Sequence, residues 1–111
     1  MKTQNKSKQK LNKNIETHEM KLLNVTKASL ENDKAQDVVV INLAGKTSFA
    51  DYMVIATGSS QRQVAAMAIH LKEKLKSFGQ QKVSLEGTDQ NDWVLIDSGG
   101  VVIHLFRHEI R

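Results

Sequence analysis

The segment Gly58-Ser59-Ser60 has the residue types of an anion site, because it offers two hydroxyls and backbone N–H groups where an extended run gives way to a helical one. Arg62 would add positive charge two residues further on. A helix cap explains the same residues, since a serine at this position accepts a hydrogen bond from a backbone N–H of the first turn. The pattern favours the cap, and anion binding by Ser59, Ser60 and Arg62 is the alternative.

Catalysis by a nucleotidyltransferase of the glycine-serine type would require two carboxylates on one strand face, roughly ten residues further along, to hold Mg²⁺. The sequence has no such pair. The first acid after Ser60 is Glu73, in a helical stretch, while Glu31 and Asp33 are two residues apart but precede Gly58. We therefore predict no metal-dependent nucleotidyl transfer.

The histidines do not have the spacing of a metal site. His104 and His108 are four residues apart, which suits one ion only on a helix, and both lie in an extended segment. The chain has no cysteine and no Gly-x-Ser-x-Gly sequence, so the cysteine and serine hydrolase patterns are excluded. We predict no catalytic residue, metal or cofactor, and we interpret His104 as a hydrogen-bonding group beside Asp97 or as an interface residue.

A helix and two strands precede Gly58. Apolar residues recur at helical spacing from Ile15, which predicts a first helix from Ile15 to Glu31 with Asn14 as its N-cap. The short β-branched run 37–43 predicts a strand with both faces covered or nearly so. The next strand, 51–57, follows too closely for a crossover, so we expect it to be antiparallel to the first.

A second helix follows Gly58. Ser60 and Gln63 have the spacing of a capping box, in which the serine caps the helix and the glutamine reaches back. Gly79 is expected to end the helix. Its apolar stripe, which should face the core, consists of Val64, Met67, Ala68, Leu71, Leu75 and Phe78.

Three further strands complete the pattern. A right-handed crossover predicts that the strand 82–86 runs parallel to 51–57. The strands 92–97 and 101–107 should form a hairpin, because Ser98-Gly99-Gly100 suits a tight turn. The predicted fold class is α/β (α+β), with a mixed five-stranded sheet and two main helices.

Strand period divides the last hairpin into two faces, both largely apolar. One face carries Val94, Ile96, Val101, Ile103 and Leu105. The other carries Trp93, Leu95, Asp97, Val102, His104 and Phe106. Two helices can cover one face of such a sheet, so the aromatic side is either core or an open protein-binding surface. In the second alternative, the partner-binding residues are Trp93, Asp97, His104 and Phe106.

The composition indicates one small domain with a charged leader. A chain of 111 residues leaves room for one core, and no apolar run is long enough to cross a bilayer. The lack of cysteine fits a reducing cytoplasm. Residues 1–14 contain five lysines and no acid, so the net charge of +4 leaves −1 for residues 15–111. We predict a lysine-rich disordered leader over 1–14, with loose phosphate contact as the alternative, and a domain over 15–111 that is not an RNA reader.

Four sequence blocks resemble the RsfS/Iojap family in order and in spacing. The string Ala56-Thr57-Gly58-Ser59-Ser60, followed by Arg62-Gln63-Val64, is specific by itself. Asp92-Trp93 with Asp97, Gly99, His104 and Phe106 is a second signature. The resemblance runs from Leu22 to Arg111. Its blocks are DVVVINL (37–43), DYMVIATGSSQRQV (51–64), VSLEG (83–87) and DWVLIDSGGVVIHLF (92–106).

This resemblance implies a fold and a function. The implied fold is related to nucleotidyltransferases but lacks their catalytic carboxylates. The implied function is ribosomal silencing, in which the protein binds the fourteenth protein of the large ribosomal subunit and blocks joining of the small subunit, so that translation is repressed under nutrient limitation. Two alternatives stay open: a residual nucleotide-binding or nucleotidyltransferase-like domain that uses Ser59, Ser60 and Arg62, and a homodimeric adaptor whose open sheet face pairs with itself.

The sequence departs from the family pattern at both ends. Family members usually continue past the final strand with a short segment containing an aromatic residue, a Leu-Glu pair and a terminal Leu-Trp, whereas this sequence stops at Arg111. If that segment packs on the sheet or touches the partner, we expect reduced stability or affinity here. The lysine-rich residues 1–14 have no counterpart in the pattern.

Deletion of residues 1–13 should leave the thermal midpoint of unfolding nearly unchanged, because no periodic apolar residue precedes Leu11. Binding to large ribosomal subunits should weaken modestly and become less salt-sensitive, since up to five lysine contacts with RNA phosphate are lost. Calorimetry and a salt series of subunit binding measure the two effects. A midpoint lowered by many degrees would contradict the prediction.

Overall fold

The computed structural model describes residues 17–110. The predicted leader, the predicted N-cap Asn14 and the predicted helix start at Ile15 lie outside these residues. No helix in this part of the chain is long and apolar enough to cross a membrane. Its elements, in chain order, are α1 (His18–Asn32), β1 (Gln36–Asn42), β2 (Tyr52–Gly58), α2 (Gln61–Ser77), β3 (Ser84–Glu86), β4 (Trp93–Asp97) and β5 (Val101–Arg107).

The sheet has the strand order β1-β2-β5-β4-β3, which confirms a mixed five-stranded sheet with two helices. β1 is antiparallel to β2, as predicted, and β2 pairs with β5 in parallel. β3 and β4 continue the sheet by antiparallel pairing. β3 therefore runs in the direction of β2, as predicted, but β5 and β4 lie between them. The chain crosses over with α2 to the far edge and returns, so that the last strand occupies the centre.

The first helix begins later than the apolar pattern predicts. Its N-cap is Thr17, whose hydroxyl accepts a hydrogen bond from the backbone N–H of Met20 at 3.1 Å. α1 buries Leu22 and Leu30 fully. A threonine hydroxyl satisfies a free N–H of the first turn, so Thr17 caps the helix that begins at His18.

The second helix begins at the predicted cap. Ser60 accepts a hydrogen bond from the N–H of Gln63 at 3.1 Å. The Gln63 side chain reaches back to Ser59 rather than to Ser60, and its oxygen accepts from the Ser59 N–H at 2.6 Å. The Gln63 amide NH₂ donates to the carbonyl oxygen of Asp33 at 3.0 Å. One side chain therefore joins the start of α2 to the segment after α1.

The core lies between the helices and one face of the sheet. Five of the six predicted stripe residues of α2 are buried; Phe78 is 38% exposed and stacks on His18 instead. Gly58 allows α2 to approach β2, since a Cβ there would lie 2.7 Å from the Val64 side chain. Of the two faces that strand period defines in the last hairpin, the one that lies in the core carries Val94, Ile96, Val101, Ile103 and Leu105.

The prediction that β1 is covered on both faces is wrong. All seven residues of β1 are exposed, and Val38 to Ile41 are each between 38% and 43% exposed. β1 is the edge strand next to β2, and the helices pack over the other strands: α1 over β2 and β5, and α2 over β2, β5 and β4. An apolar run at an uncovered edge stays accessible on both of its faces.

Candidate functional site

The sheet side opposite the helices forms an open face. Strand period and register place residues of β1, β2, β5 and β4 on it. One row of directly paired residues crosses the four strands: Val39, Ile55, His104 and Leu95. The row is apolar except for the imidazole. Among residues 17–110, both helices pack on the other side of the sheet, so this face is the accessible one.

Three aromatic rings stack on the open face, and we call Trp93, His104 and Phe106 the ring cluster. The ring centroids of Trp93 and Phe106 are 5.5 Å apart, those of Trp93 and His104 are 5.9 Å apart, and those of His104 and Phe106 are 6.2 Å apart. Trp93 is 52% exposed. Strand period left open whether the aromatic side is core or an open surface, and in the structure it lies outside the core.

A hydrogen bond links two members of the ring cluster. The indole N–H of Trp93 donates to Nδ1 of His104 at 3.1 Å. His104 was expected to be a hydrogen-bonding group beside Asp97 or an interface residue; Asp97 is its diagonal neighbour on this face, but the hydrogen bond of the imidazole ring is with Trp93. Asp97 instead accepts a hydrogen bond from the N–H of Gly99 at 3.0 Å and thereby helps to form the hairpin turn. Partial burial lowers the pKa of His104, because the charged imidazolium loses hydration.

The border of the open face is acidic. Glu86 lies opposite Leu95 in the β3–β4 register, and Asp97 ends β4. A concavity of about 320 Å³ next to Trp93 is lined by Asp89 and Asp92, among others. Gly87 lines it too, with φ +86°, and a Cβ there would overlap the carbonyl oxygen of Trp93. Glycine is therefore required for this loop to pass so close to the start of β4.

A polar network supports the ring cluster from the end of the sheet. Asp92 precedes Trp93, and its carboxylate accepts from Gln61 Nε2 at 3.0 Å and from Arg107 Nε at 2.7 Å. The hydrogen bonds from Gln61 and then Arg107 lower the pKa of Asp92 below its ordinary value of 3.8. Arg107 also pairs with Glu109. These contacts attach the start of β4 to α2 and to the end of β5.

The segment for which anion binding was the alternative forms the helix cap that the sequence pattern favours. Ser60 caps α2, and both the N–H and the hydroxyl of Ser59 donate to the side-chain oxygen of Gln63, at 2.6 and 2.8 Å. The concavity at this end of α2 is lined by Ser59, Ser60, Gln61, Arg107 and Glu109, and not by Arg62. Within residues 17–110, no group of three or more His, Cys, Asp or Glu side chains could hold a metal ion.

The apolar contribution of β1 and β2 to the open face was not predicted from the sequence. Val39 and Ile41 pair with Ile55 and Met53, so all four side chains share the face of His104. Strand period marks these positions, but only the order of strands shows that they continue the surface of β5. The candidate surface is therefore wider than the four predicted residues.

Solved structures with this architecture define the class of the fold. A crystal structure of a Chromobacterium violaceum protein superposes with a TM-score of 0.78 and 34% sequence identity, covering 82% of this chain and 76% of that one. A Bacillus halodurans crystal structure gives a TM-score of 0.76 at 37% identity, covering 82% of this chain and 85% of that one. The mixed sheet with helices on one side is thus an architecture known from experiment.

Sequence comparisons identify the family. Residues 14–111 match the family described as "Ribosomal silencing factor during starvation". Ribosomal silencing factor RsfS of Zymomonas mobilis is 49% identical over 90 residues, which are 81% of this chain and 68% of that protein. The mouse protein named "Mitochondrial assembly of ribosomal large subunit protein 1" is 35% identical over 85 residues, 74% of this chain and 37% of its own. The chain belongs to the RsfS family of ribosomal silencing factors.

Replacement of Asp92 by Asn should lower the thermal midpoint of unfolding at pH 7, because the variant loses the ion pair with Arg107. A carboxylate whose folded pKa is lowered stabilises the protein above pH 3.8, and that contribution is lost as the pH falls through the folded pKa. The difference between wild type and Asp92→Asn should therefore shrink below pH 3.8. Asp89→Asn, in the same loop, is the control, and an equal effect of the two substitutions would contradict the role of the network.

Proposed function

We propose that this protein binds the large ribosomal subunit through its open face and thereby blocks association with the small subunit. The direct partner in this proposal is the fourteenth protein of the large subunit, and the outcome is repression of translation under nutrient limitation. The chain acts by occupying a surface and not by catalysis, and it works in the cytoplasm, where the ribosomes are. The observation that carries the proposal is the exposed ring cluster on a sheet face without helices.

The ring cluster has the physical properties of a binding hot spot. Tryptophan is enriched among the interface residues that contribute most to affinity, and an indole can bury about 150 Å² or more against a partner. Trp93 is held by two stacking contacts and one hydrogen bond before any partner arrives. A preorganised ring loses little conformational entropy on binding, so more of its contact energy appears as affinity.

The acidic border supports a basic partner. Glu86, Asp89 and Asp97 surround the side of the open face that carries Trp93. Ribosomal proteins next to RNA are typically basic, so these charges would speed the encounter and disfavour acidic competitors. The family name refers to the ribosome, and the name of the mouse relative refers to assembly of the ribosomal large subunit. Both support a partner on that subunit.

The features of α2 argue for a non-enzymatic role. The hydroxyls that a nucleotide-binding reading would use, those of Ser59 and Ser60, are engaged with Gln63 at the start of the helix. A reaction at this site would have to break the cap of α2 to free them. The family match is to a regulatory protein, which is the simpler account of the same residues.

Replacement of Trp93 by Ala should weaken binding to purified large subunits roughly 30-fold or more, which corresponds to about 2 kcal/mol. The domain should stay folded, because the indole is 52% exposed. Co-sedimentation with large subunits, and with small subunits for comparison, measures the binding. A subunit-joining assay with the same variant measures the block.

The matched control is Ile69→Ala, which removes an apolar side chain of similar exposure, 56%, from α2 on the other side of the sheet. This control should bind and block joining like the wild type. Normal binding by folded Trp93→Ala would show that the open face is not the contact surface. Unfolding of Trp93→Ala, seen by circular dichroism, would show that the ring cluster is part of the core.

A second candidate, a homodimeric adaptor, is favoured by the exposed edge strand. β1 is an edge strand of the sheet formed by residues 17–110 and carries the consecutive apolar residues Val38 to Ile41. Such edges can pair with a second copy. If the candidate is correct, light scattering should give the mass of two chains for the wild type and of one chain for Val40→Lys, whose changed side chain lies on the helix side of β1. A wild-type mass of one chain would contradict the candidate.

A further inference from the structure

The hydrogen bond between Trp93 and His104 has a fixed polarity. An indole nitrogen can only donate, so Nδ1 of His104 must accept. The imidazole that accepts at Nδ1 is neutral, with its proton on Nε2. The contact therefore exists in one protonation state of His104 and not in the other. Within residues 17–110, His104 is the acceptor of the indole N–H, so the orientation of the indole depends on it.

We propose that His104 is a positioning residue for Trp93: the neutral imidazole holds the indole in its binding orientation, and protonation of His104 releases it. Binding of the large subunit then weakens in acid. This inference rests on the proposed function and names a regulation of the same surface. His104 acts in it through Trp93 and not through a contact of its own with the partner.

The cost of burying the indole N–H explains why the acceptor matters. A partner that covers Trp93 removes water from the N–H, and a buried N–H without an acceptor costs about 1–3 kcal/mol. Neutral His104 supplies the acceptor from within the protein. A protonated imidazole presents N–H groups at both nitrogens, so two donors would face each other. Covering the rings would then bury a charge as well as an unpaired donor.

The surroundings of His104 determine the sign of the effect. Asp97 is the titratable group that the neighbouring strands place on this face close to His104, and its carboxylate is engaged by the Gly99 N–H. Partial burial lowers the pKa of His104 from 6.5, so the ring is neutral at pH 7. Affinity should be constant above pH 6.5 and fall by up to tenfold per pH unit below the folded pKa. The other neighbours on this face are Trp93 and Leu95 on β4, Met53 and Ile55 on β2, and Val102 and Phe106 on β5.

The free protein offers a direct measurement of the release step. Trp93 is the sole tryptophan of the chain, so its fluorescence reports on this indole alone. A protonated imidazole in contact with an indole quenches its emission. We expect a fluorescence transition with a midpoint below pH 6.5 that coincides with the NMR titration of the His104 ring. The transition should vanish in His104→Gln and persist in His70→Gln, which changes a histidine on the helix side.

The affinities of four proteins for large subunits, measured at pH 7.5 and pH 5.5, test whether protonation of His104 weakens binding. His104→Gln keeps an acceptor oxygen that does not titrate, so its affinity for large subunits should exceed that of His104→Leu at pH 7.5 and should be the same at pH 5.5 as at pH 7.5. His104→Leu lacks an acceptor and should bind about tenfold more weakly at both pH values. The wild type should weaken between the two pH values, and so should His70→Gln, which also controls for effects of pH on the subunits.

Three results would overturn the inference. The first is a wild-type fluorescence that shows no pH transition, or one that persists in His104→Gln. The second is an affinity of His104→Gln as low as that of His104→Leu at pH 7.5, which would assign His104 a direct partner contact. The third is a wild-type pH profile parallel to that of His104→Gln. Failure of the wild type to bind large subunits at any pH would contradict the proposed function instead, and the fluorescence titration would still decide the role of His104.

Discussion

Within residues 17–110, two helices pack on one side of a five-stranded sheet and leave the other side uncovered, and most features of this part of the chain follow from that arrangement. The helices bury one alternating set of strand residues, which forms the core. Neither of these helices covers the opposite set. Because β5 is the central strand of the sheet and carries both His104 and Phe106, two of the three rings lie on the central strand, and Trp93 lies beside them at the start of β4.

Local patterns in the sequence predicted the elements well and the arrangement of strands less well. The alternation in the last hairpin correctly placed Ile103 and His104 on opposite faces, but it did not show which face the helices cover. The run Val38 to Ile41 led to the wrong prediction that β1 is covered on both faces. A run of β-branched residues has no alternation, so a covered strand and an exposed edge strand have the same pattern. Whether a strand lies at the edge or in the centre depends on the whole sheet, and the spacing of residues along one strand does not show it.

The hydrogen-bond partner of His104 in the ring cluster could not be predicted from the sequence either. Trp93 and Asp97 both flank Leu95, which lies directly opposite His104, so both are diagonal neighbours of the imidazole. Strand period therefore could not choose between them, and the chemically natural pairing with the carboxylate was the wrong one. Trp93 is the partner of His104 because its indole is long enough to contact the imidazole, whereas the Asp97 carboxylate accepts from the Gly99 N–H in the hairpin turn. For Ser59 and Ser60, in contrast, the local capping pattern was sufficient.

The Gln63 amide joins two chain segments because its oxygen accepts hydrogen bonds and its nitrogen donates them. Its oxygen receives two donors from Ser59, and its nitrogen faces the carbonyl oxygens of Asp33 and Lys34. A glutamate of the same size would set a negative oxygen against two carbonyls, and a leucine would satisfy neither side. The first turn of α2 and the bend between α1 and β1 are thus joined into one cooperative unit. Slow amide exchange at the one should accompany slow exchange at the other.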